Sequence, residues 1–358
     1  LKITRVEVKK RRLKLKKPFV TALRAVNDIE IVMMRIELEN GMFGIGTASP
    51  AAVITGETIQ SMESIVKNIL IPRFIGRNIL QISSLSRAVQ SSCIGNTSAK
   101  AGFELALFDT YSKLLGLPLY QVLGGETNVL ENDLTISINE TETMVEDSLA
   151  GVEKGFKTLK IKAGIDGRKD VERIKAIREA VGPSIQIRID ANQGWGKKEA
   201  VKIINGWEDA CLQIELIEQP VPAGDIDSLK YVTDQVYTPI MADESVFSPD
   251  QALELIQKKA VDLLNIKLMK TGGIVRAMQI ADIAEAGGIP CMMGSMMESV
   301  PGVLAAAHLA CAHPNIVKID LDAPLWLEDN DDKMSPFQGP IIKLNENPGI
   351  GYDFFTLN

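Results

Sequence analysis

Asp190, Glu218 and Asp243 each close a short run of apolar β-formers: IQIRID, IELIE and PIMAD. Lys162 closes TLKIK, with Lys160 two residues before it, and Lys267 closes LLNIK. Three carboxylates gathered at one place repel one another unless a cation joins them, and an all-oxygen ligand set suits Mg2+ or Mn2+ rather than zinc. A lysine ammonium, with an ordinary pKa near 10.4, is a poor base at neutral pH, but neighbouring cations lower it toward about 7 to 8. Lys160 would act on Lys162 in this way, and a divalent ion on both Lys162 and Lys267. Two lysines on opposite sides of a substrate carbon can take a proton from one face and return it to the other. The plainer alternative is that each acid only caps the helix after its strand, while the lysines only neutralise the acids. Arg188, on the same strand face as Asp190, is expected to offset part of the negative charge.

A repeat brings these residues together. The apolar runs end at Lys162, Asp190, Glu218, Asp243, Lys267, Ser295 and Asp320, with successive differences of 28, 28, 25, 24, 28 and 25 residues. A strand, a loop, an amphipathic helix and a second loop fill such a period. Strands alternating with helices lie parallel, and TISI before Asn139 supplies an eighth, so the sheet is expected to close into a (β/α) barrel. Polar residues at the carboxyl ends of barrel strands share one mouth. Lys160 and Lys162 point into the barrel and Ile161 toward the helices. Lys267 ends the sixth strand, across the ring from Lys162 on the second. At the eighth strand, Asp320 and Asp322 point the same way, a pair suited to a substrate ammonium.

Residues 1–125 read as a separate α+β domain. ITRVEVKKRRLKL, IEIVMMRIELENG and MFGIGTAS alternate like antiparallel strands, with a hairpin corner at Glu39-Asn40-Gly41. Lys17 to Arg24 forms a loop between the first two. Helical periodicity follows in ETIQSMESIVKNILIPRFIG, near Leu80 to Val89, and in SAKAGFELALFDTYSKLLG, which Gly116 closes. Gly124-Gly125 marks the passage into the barrel, residues 126–325. Residues 326–358 are expected to return to the first domain, with an acidic turn at Glu328 to Asp332 and a short hairpin in IIKLNENPGIGY.

Composition narrows the function class. A net charge of -7, with 39 basic and 46 acidic residues, gives no basic surface for nucleic acid, since the Lys9-Lys10-Arg11-Arg12 run reads as part of a solvated edge strand. Four cysteines lie far apart in apolar contexts and read as buried thiols of a reducing compartment. No apolar run is long enough to span a membrane and no signal peptide is evident, so a cytoplasmic location is expected. His308 and His313 read as packing or capping residues. Gly272-Gly273 opens the sixth helix and offers a weak anion site.

Taken together, Lys160-Ile161-Lys162, Asp190-Ala191-Asn192, Glu218-Gln219-Pro220, Asp243-Glu244-Ser245 and Lys267 resemble the muconate-lactonizing subgroup of the enolase superfamily, over nearly the whole chain. The resemblance implies a modified TIM barrel of enolase type, with an amino-terminal capping domain completed by the carboxyl-terminal tail. It also implies Mg2+ (or Mn2+) on Asp190, Glu218 and Asp243, and removal of a proton α to a carboxylate by Lys162 or Lys267. A lysine base with Mg2+ stabilising an enediolate is the pattern of that superfamily. Asp320-Leu321-Asp322 is similar to the pair that holds the substrate amino group in dipeptide epimerases. In the same likeness Arg24 meets an acidic side chain at the second residue, which favours L-Ala-L-Glu and L-Ala-D-Glu. Thr135, Ser295 and Lys160 resemble further substrate contacts. The alternatives are a muconate-type cycloisomerase, an o-succinylbenzoate synthase or N-acylamino acid racemase, or a degenerate barrel that only binds. A small dipeptide is the expected partner, and barrels of this kind commonly form symmetric homo-oligomers.

Overall fold

The computed structural model describes residues 1–328 and 335–352. Strands β1 (Ile3–Val20), β2 (Ala25–Leu38) and β3 (Phe43–Ala48) form an antiparallel sheet with β2 in the middle. Lys9 to Arg12 lie within β1, an edge strand, where charge discourages pairing with another chain. The expected loop is shorter than its sequence suggested. Pairing of Phe19 and Val20 with Val26 and Ala25 carries β1 past Lys17, so only Thr21 to Arg24 turn.

The first expected helix is interrupted. Helix α1 (Ile59–Ile65), capped by Thr58, passes through a π-helical turn (Val66–Leu70) into α2 (Ile71–Phe74), with Pro72 directly after that turn. Helices α3 (Ile82–Gln90), α4 (Thr97–Leu115) and α5 (Leu119–Val122) complete this part. Helix α4 lies on β3 and is buried on nearly every side, and Gly116 ends it in the left-handed conformation.

After the short β4 (Val129–Glu131), the barrel alternates β5 (Leu134–Ile136), α6 (Thr141–Glu153), β6 (Thr158–Lys162), α7 (Gly167–Val181), β7 (Gln186–Asp190) and α8 (Lys197–Asp209). It continues through β8 (Ile214–Glu218), α9 (Ile226–Gln235), β9 (Ile240–Ala242), α10 (Pro249–Lys258) and β10 (Leu263–Ile266). The one-turn α11 (Leu268–Thr271), α12 (Ile274–Ala286), β11 (Cys291–Gly294), α13 (Val300–Ala312) and β12 (Ile316–Asp320) finish it. Eight parallel strands neighbour one another in chain order from β5 to β12. Side chains hold the seam between the last strand and the first. The Asp322 carboxylate accepts from the Thr135 amide at 2.7 Å and its hydroxyl at 3.2 Å, and Asn132 Oδ1 accepts from the Leu321 amide at 2.8 Å.

Isoleucines at 161, 187, 189, 217 and 240 are buried against the helix layer. Below the mouth, the barrel interior splits in two. Leu216, Met241, Leu263 and Met292 fill one side. On the other, Arg188 bonds Asp133 at 2.8 Å, Glu215 at 2.7 Å and the Ile319 carbonyl at 2.9 Å, while Lys318 also reaches Glu215. This corrects the expectation for Arg188: it sits one layer below Asp190 and pairs with two acids of that layer, Asp133 and Glu215, rather than with the acids of the mouth.

The tail differs from the expected hairpin. Ile341 to Lys343, here β13, pairs antiparallel with β4, whose Leu130 faces Ile342 in register. Beyond it, Gly349 and Ile350 bond Leu119 and Asp109 of the amino-terminal part, at 2.8 Å each. Of the acidic turn only Glu328 is described; Asp329 to Asp332 lie outside the described residues. The cysteines also depart from expectation: Cys291 and Cys311 are buried thiols, but Cys93 is half-buried and Cys211 exposed. No helix among the described residues is long and apolar enough to cross a membrane.

Candidate active site

Register decides which side chains meet. Lys162 stands beside Asp190, and Asp190 beside Glu218, each one strand spacing apart, about 4.8 Å. Glu218 pairs with Met241, so the chain needs two further residues to bring Asp243 to the same height. One oxygen from each of Asp190, Glu218 and Asp243 lies within 4.8 Å of the others, and all three residues are buried. All donors in this set are hard carboxylate oxygens, and Glu218 Oε2 completes no aligned hydrogen bond although Lys160 Nζ lies 2.7 Å away. Such a set fits a small divalent cation.

The lysines point into this cluster from two sides. Lys162 Nζ donates to Asp190 Oδ2 at 2.6 Å, and Lys267 Nζ to Asp243 Oδ2 at 2.7 Å. Lys160 Nζ lies 3.2 Å from Asp190, 2.7 Å from Glu218 and 2.6 Å from Asp320. A fourth ammonium was not anticipated. Lys270, one turn past Lys267, is wholly buried and donates to the Asp243 carboxylate, the Asp243 carbonyl and the Asn265 carbonyl. Four ammoniums therefore face four carboxylates, Asp190, Glu218, Asp243 and Asp320.

That balance sets the protonation of the site. Burial lowers the Lys160 and Lys267 ammoniums, but the carboxylates outweigh it. Asp320, Glu218 and Asp190 hold Lys160 well above its ordinary value, and Asp243 does the same for Lys267. For Lys267, lowering toward neutrality is thus not what the protein's own charges produce. Burial would raise Asp190 and Asp243, yet Lys162 with Lys160, and Lys267 with Lys270, hold both below the usual range. Glu218 is pushed up to about 7 by burial and by Asp190, and Glu244 to about 8 by burial and Asp243.

Backbone geometry around the acids is constrained. Asn192 and Gln219 take left-handed φ values of 42° and 37°, uncommon for residues other than glycine and typical of sites that hold strain for a purpose. Asn192 returns its amide to Asp190 Oδ1 at 2.9 Å and its side chain to Glu244 at 3.1 Å. Gln219 Oε1 accepts the amides of Asp243 and Ser245 at 3.0 and 3.1 Å, so one side chain fixes the next strand's acid. Sequence reasoning missed this role, although Gln219 follows Glu218 directly.

A cavity of about 50 Å3 lies above the lysines, lined among others by Arg24, Thr135, Lys160, Lys162, Lys267 and Ser295. Asp320 and Asp322 also line it. The eight residues expected to move the proton or contact the substrate thus all reach one space, with the three acids beneath. Asp320 is committed to Lys160, and Asp322 to Thr135 and to the Trp326 indole at 3.2 Å. Burial, then Asp320, pushes Asp322 up to about 6. Arg24 is half-buried, and burial lowers its guanidinium, with no carboxylate among the described residues opposing the shift. His308 accepts the Tyr120 amide at 3.1 Å and His313 meets Asp282 at 3.1 Å, both away from the cavity.

Residues 3–124 match the model of the mandelate racemase / muconate lactonizing enzyme N-terminal domain, and residues 143–355 that of the enolase C-terminal domain-like fold. The L-Ala-D/L-Glu epimerase of Bacillus subtilis (strain 168) is 46% identical over 98% of this chain and 96% of its own length. Its substrate-liganded structure superposes with a TM-score of 0.95, covering 98% of each chain. The dipeptide epimerase of Enterococcus faecalis V583, solved with Mg and L-Leu-L-Tyr, is 42% identical, covers 98% of this chain and 99% of its own, and superposes with a TM-score of 0.93. With both its domains matched and full-length relatives of such identity, this chain belongs to the mandelate racemase / muconate lactonizing enzyme family of the enolase superfamily.

Proposed function

We propose that the protein is a Mg2+-dependent dipeptide epimerase that inverts the α-carbon of the carboxyl-terminal residue in L-Ala-L-Glu and L-Ala-D-Glu. The observation that carries this reading is the single cavity flanked by Lys162 and Lys267, floored by Asp190, Glu218 and Asp243, and bordered by Asp320 and Asp322. Full-length likeness to proteins named as epimerases of such dipeptides supports it.

Asp190, Glu218 and Asp243 would hold the cation, with Mn2+ as a possible substitute by ligand chemistry. When bound, it supplies positive charge to the substrate carboxylate as that group takes up electron density. Lys162 and Lys267 hold and move the proton at the α-carbon. One Nζ, as the neutral amine, takes it from one face and becomes an ammonium, while the other Nζ, as the ammonium, delivers one to the opposite face and becomes the amine, which inverts the centre. Each must first give up its bond to Asp190 or Asp243, and Lys160, sharing Asp190 with Lys162, keeps a positive charge at that end. Asp320 and Asp322 receive the substrate ammonium, with Thr135 and Ser295 beside it. Arg24, half-buried and without a carboxylate partner among the described residues, receives the acidic side chain. About 50 Å3 is small for a dipeptide, so the loop from Thr21 to Arg24 and the lysine side chains must yield on binding. Four free thiols support a reducing, cytoplasmic setting, and a symmetric oligomer fits the fold.

The test is α-proton exchange in D2O, followed by NMR from each stereoisomer. Wild type should exchange and epimerise both. Lys162→Ala and Lys267→Ala should each abolish epimerisation while retaining exchange from one stereoisomer only. An enzyme that exchanges no dipeptide, yet forms a lactone or dehydrates a cyclohexene acid, would overturn this reading.

A further inference from the structure

Lys267 lacks the support that Lys162 has. Lys162 is itself a paired strand residue, opposite Asp190, whereas β10 stops at Ile266 and Lys267 opens the one-turn helix α11, followed by Gly272 and Gly273. Both glycines have positive φ, 88° and 129°, and within the barrel the turn is tied by Lys270 to Asp243 and to the Asn265 carbonyl. It is also held from the other domain. Helix α11 lies against α4, whose fully buried Glu104 reaches the first turn of α12. The Val275 amide donates to Glu104 Oε2 at 3.3 Å, the Ile274 amide also bonds this carboxyl, and the Ser86 hydroxyl donates to Oε1. Gln90 Nε2 donates to the Gly272 carbonyl at 2.7 Å. The weak anion site expected at Gly272-Gly273 is thus filled by the chain's own carboxyl.

The fit is close. A Cβ on Gly273 would stand 2.0 Å from Glu104 Oε2, and one on Gly272 would stand 2.9 Å from Gln90 Oε1. From this anchor, hydrogen bonds run straight to the lysine. The amides of Gly272 and Gly273 donate to the Leu268 carbonyl at 3.0 and 3.1 Å, and those of Lys270 and Thr271 donate to the Lys267 carbonyl at the same two distances. Burying a carboxyl here costs stability that an apolar side chain would not.

We propose that Glu104 and Gln90 of the capping domain are positioning residues for Lys267, fixing the base on one face of the substrate carbon and leaving Lys162 untouched. The proposal rests on the two-lysine reading above. It makes domain docking a condition for one half-reaction rather than for folding alone.

The experiment uses the full chain with Mg2+, comparing Gln90→Ala, Glu104→Ala and Glu104→Gln with wild type. α-Proton exchange is measured separately from L-Ala-L-Glu and L-Ala-D-Glu, and Lys267→Ala identifies the isomer that depends on Lys267. For that isomer Gln90→Ala and Glu104→Ala should lose about tenfold or more, as expected for a misplaced reacting group. Exchange from the other isomer should stay within about twofold, and Glu104→Gln, which keeps one acceptor, should recover part of the loss. Equal losses for both isomers, or none, would overturn the proposal. Competitive acetylation read by mass spectrometry needs no substrate: the Lys267 to Lys162 labelling ratio should rise in Gln90→Ala. If wild type exchanges no dipeptide, the epimerase reading fails, while an unchanged labelling ratio independently refutes the positioning role.

Discussion

Lys160 is the side chain whose removal tests the charge balance of the site most directly. Its Nζ is almost wholly buried and touches three carboxylates, at 2.6, 2.7 and 3.2 Å. Lys160→Met keeps most of the stem volume, so the cavity term is small and the electrostatic one dominates. Removing one partner of a buried ion pair costs about 3 to 5 kcal/mol, because the charge left behind is neither solvated nor paired. Here Asp320 and Glu218 would each lose the ammonium they touch, Glu218 keeping its bond from the Asn265 side chain, while Asp190 would keep Lys162. Without added metal the variant should therefore unfold at least about 3 kcal/mol more easily in urea. Mg2+ should reverse much of this. A ligand at 100 times its dissociation constant stabilises by about 2.7 kcal/mol, and the variant, free of a competing ammonium, should gain more than wild type at equal Mg2+. A loss below about 1 kcal/mol, or an equal Mg2+ gain in both proteins, would refute the view that Lys160 is the internal counter-ion of the acid cluster.

Three other outcomes follow from the site. Exhaustive chelation should abolish α-proton exchange and Mg2+ should restore it, whereas full turnover after chelation would remove the cation from the mechanism. Arg24→Met should lower kcat/KM for acidic dipeptides by about 10 to 100-fold, the worth of a hydrogen-bonded charge, and spare hydrophobic ones; an unchanged preference would exclude Arg24 from specificity. Glu104 gives a pH test of stability. Burial pushes its carboxyl up to about 7 from an ordinary 4.5, against bonds from Ser86 and the α12 amides. The folded protein thus keeps a proton that the unfolded chain releases. The contribution is full below about pH 4.5, falls as pH rises toward about 7, and amounts to about 3 kcal/mol in all. Measured against Glu104→Gln, wild-type unfolding free energy should drop by about 2 to 3 kcal/mol between about pH 5 and 7.5, and a flat difference would contradict the buried carboxyl.

The barrel was legible because its signal is local. A near-constant period with a polar residue at each strand end needs no knowledge of neighbours, and the strands end within one residue of Lys162, Asp190, Glu218, Asp243, Lys267, Ser295 and Asp320. Alternation along β6 placed Lys160 and Lys162 inside and Ile161 outside by the same short-range rule. Arg188 shows where that rule stops. Period two gives the face a side chain takes but not the layer, and only the packed barrel shows its acids to be Asp133 and Glu215. The π-helical turn after α1 likewise left no signature in the apolar pattern.

What the sequence by itself determined is the list of strand ends and the direction of their side chains, since both follow from backbone geometry within a few residues. Tertiary structure decided who meets whom. Register across β6, β7 and β8 put Lys162, Asp190 and Glu218 in a row. Gln219 fixed Asp243 from the preceding strand, Lys270 joined the cluster one turn beyond Lys267, and Ile342 paired with the distant Leu130 as well as with nearby Phe337. Glu104, 163 residues before Lys267, anchors that lysine's turn from another domain. Such partners compete for the same buried donors and acceptors, and which pairing wins depends on closing the whole barrel, a constraint no short stretch of chain contains.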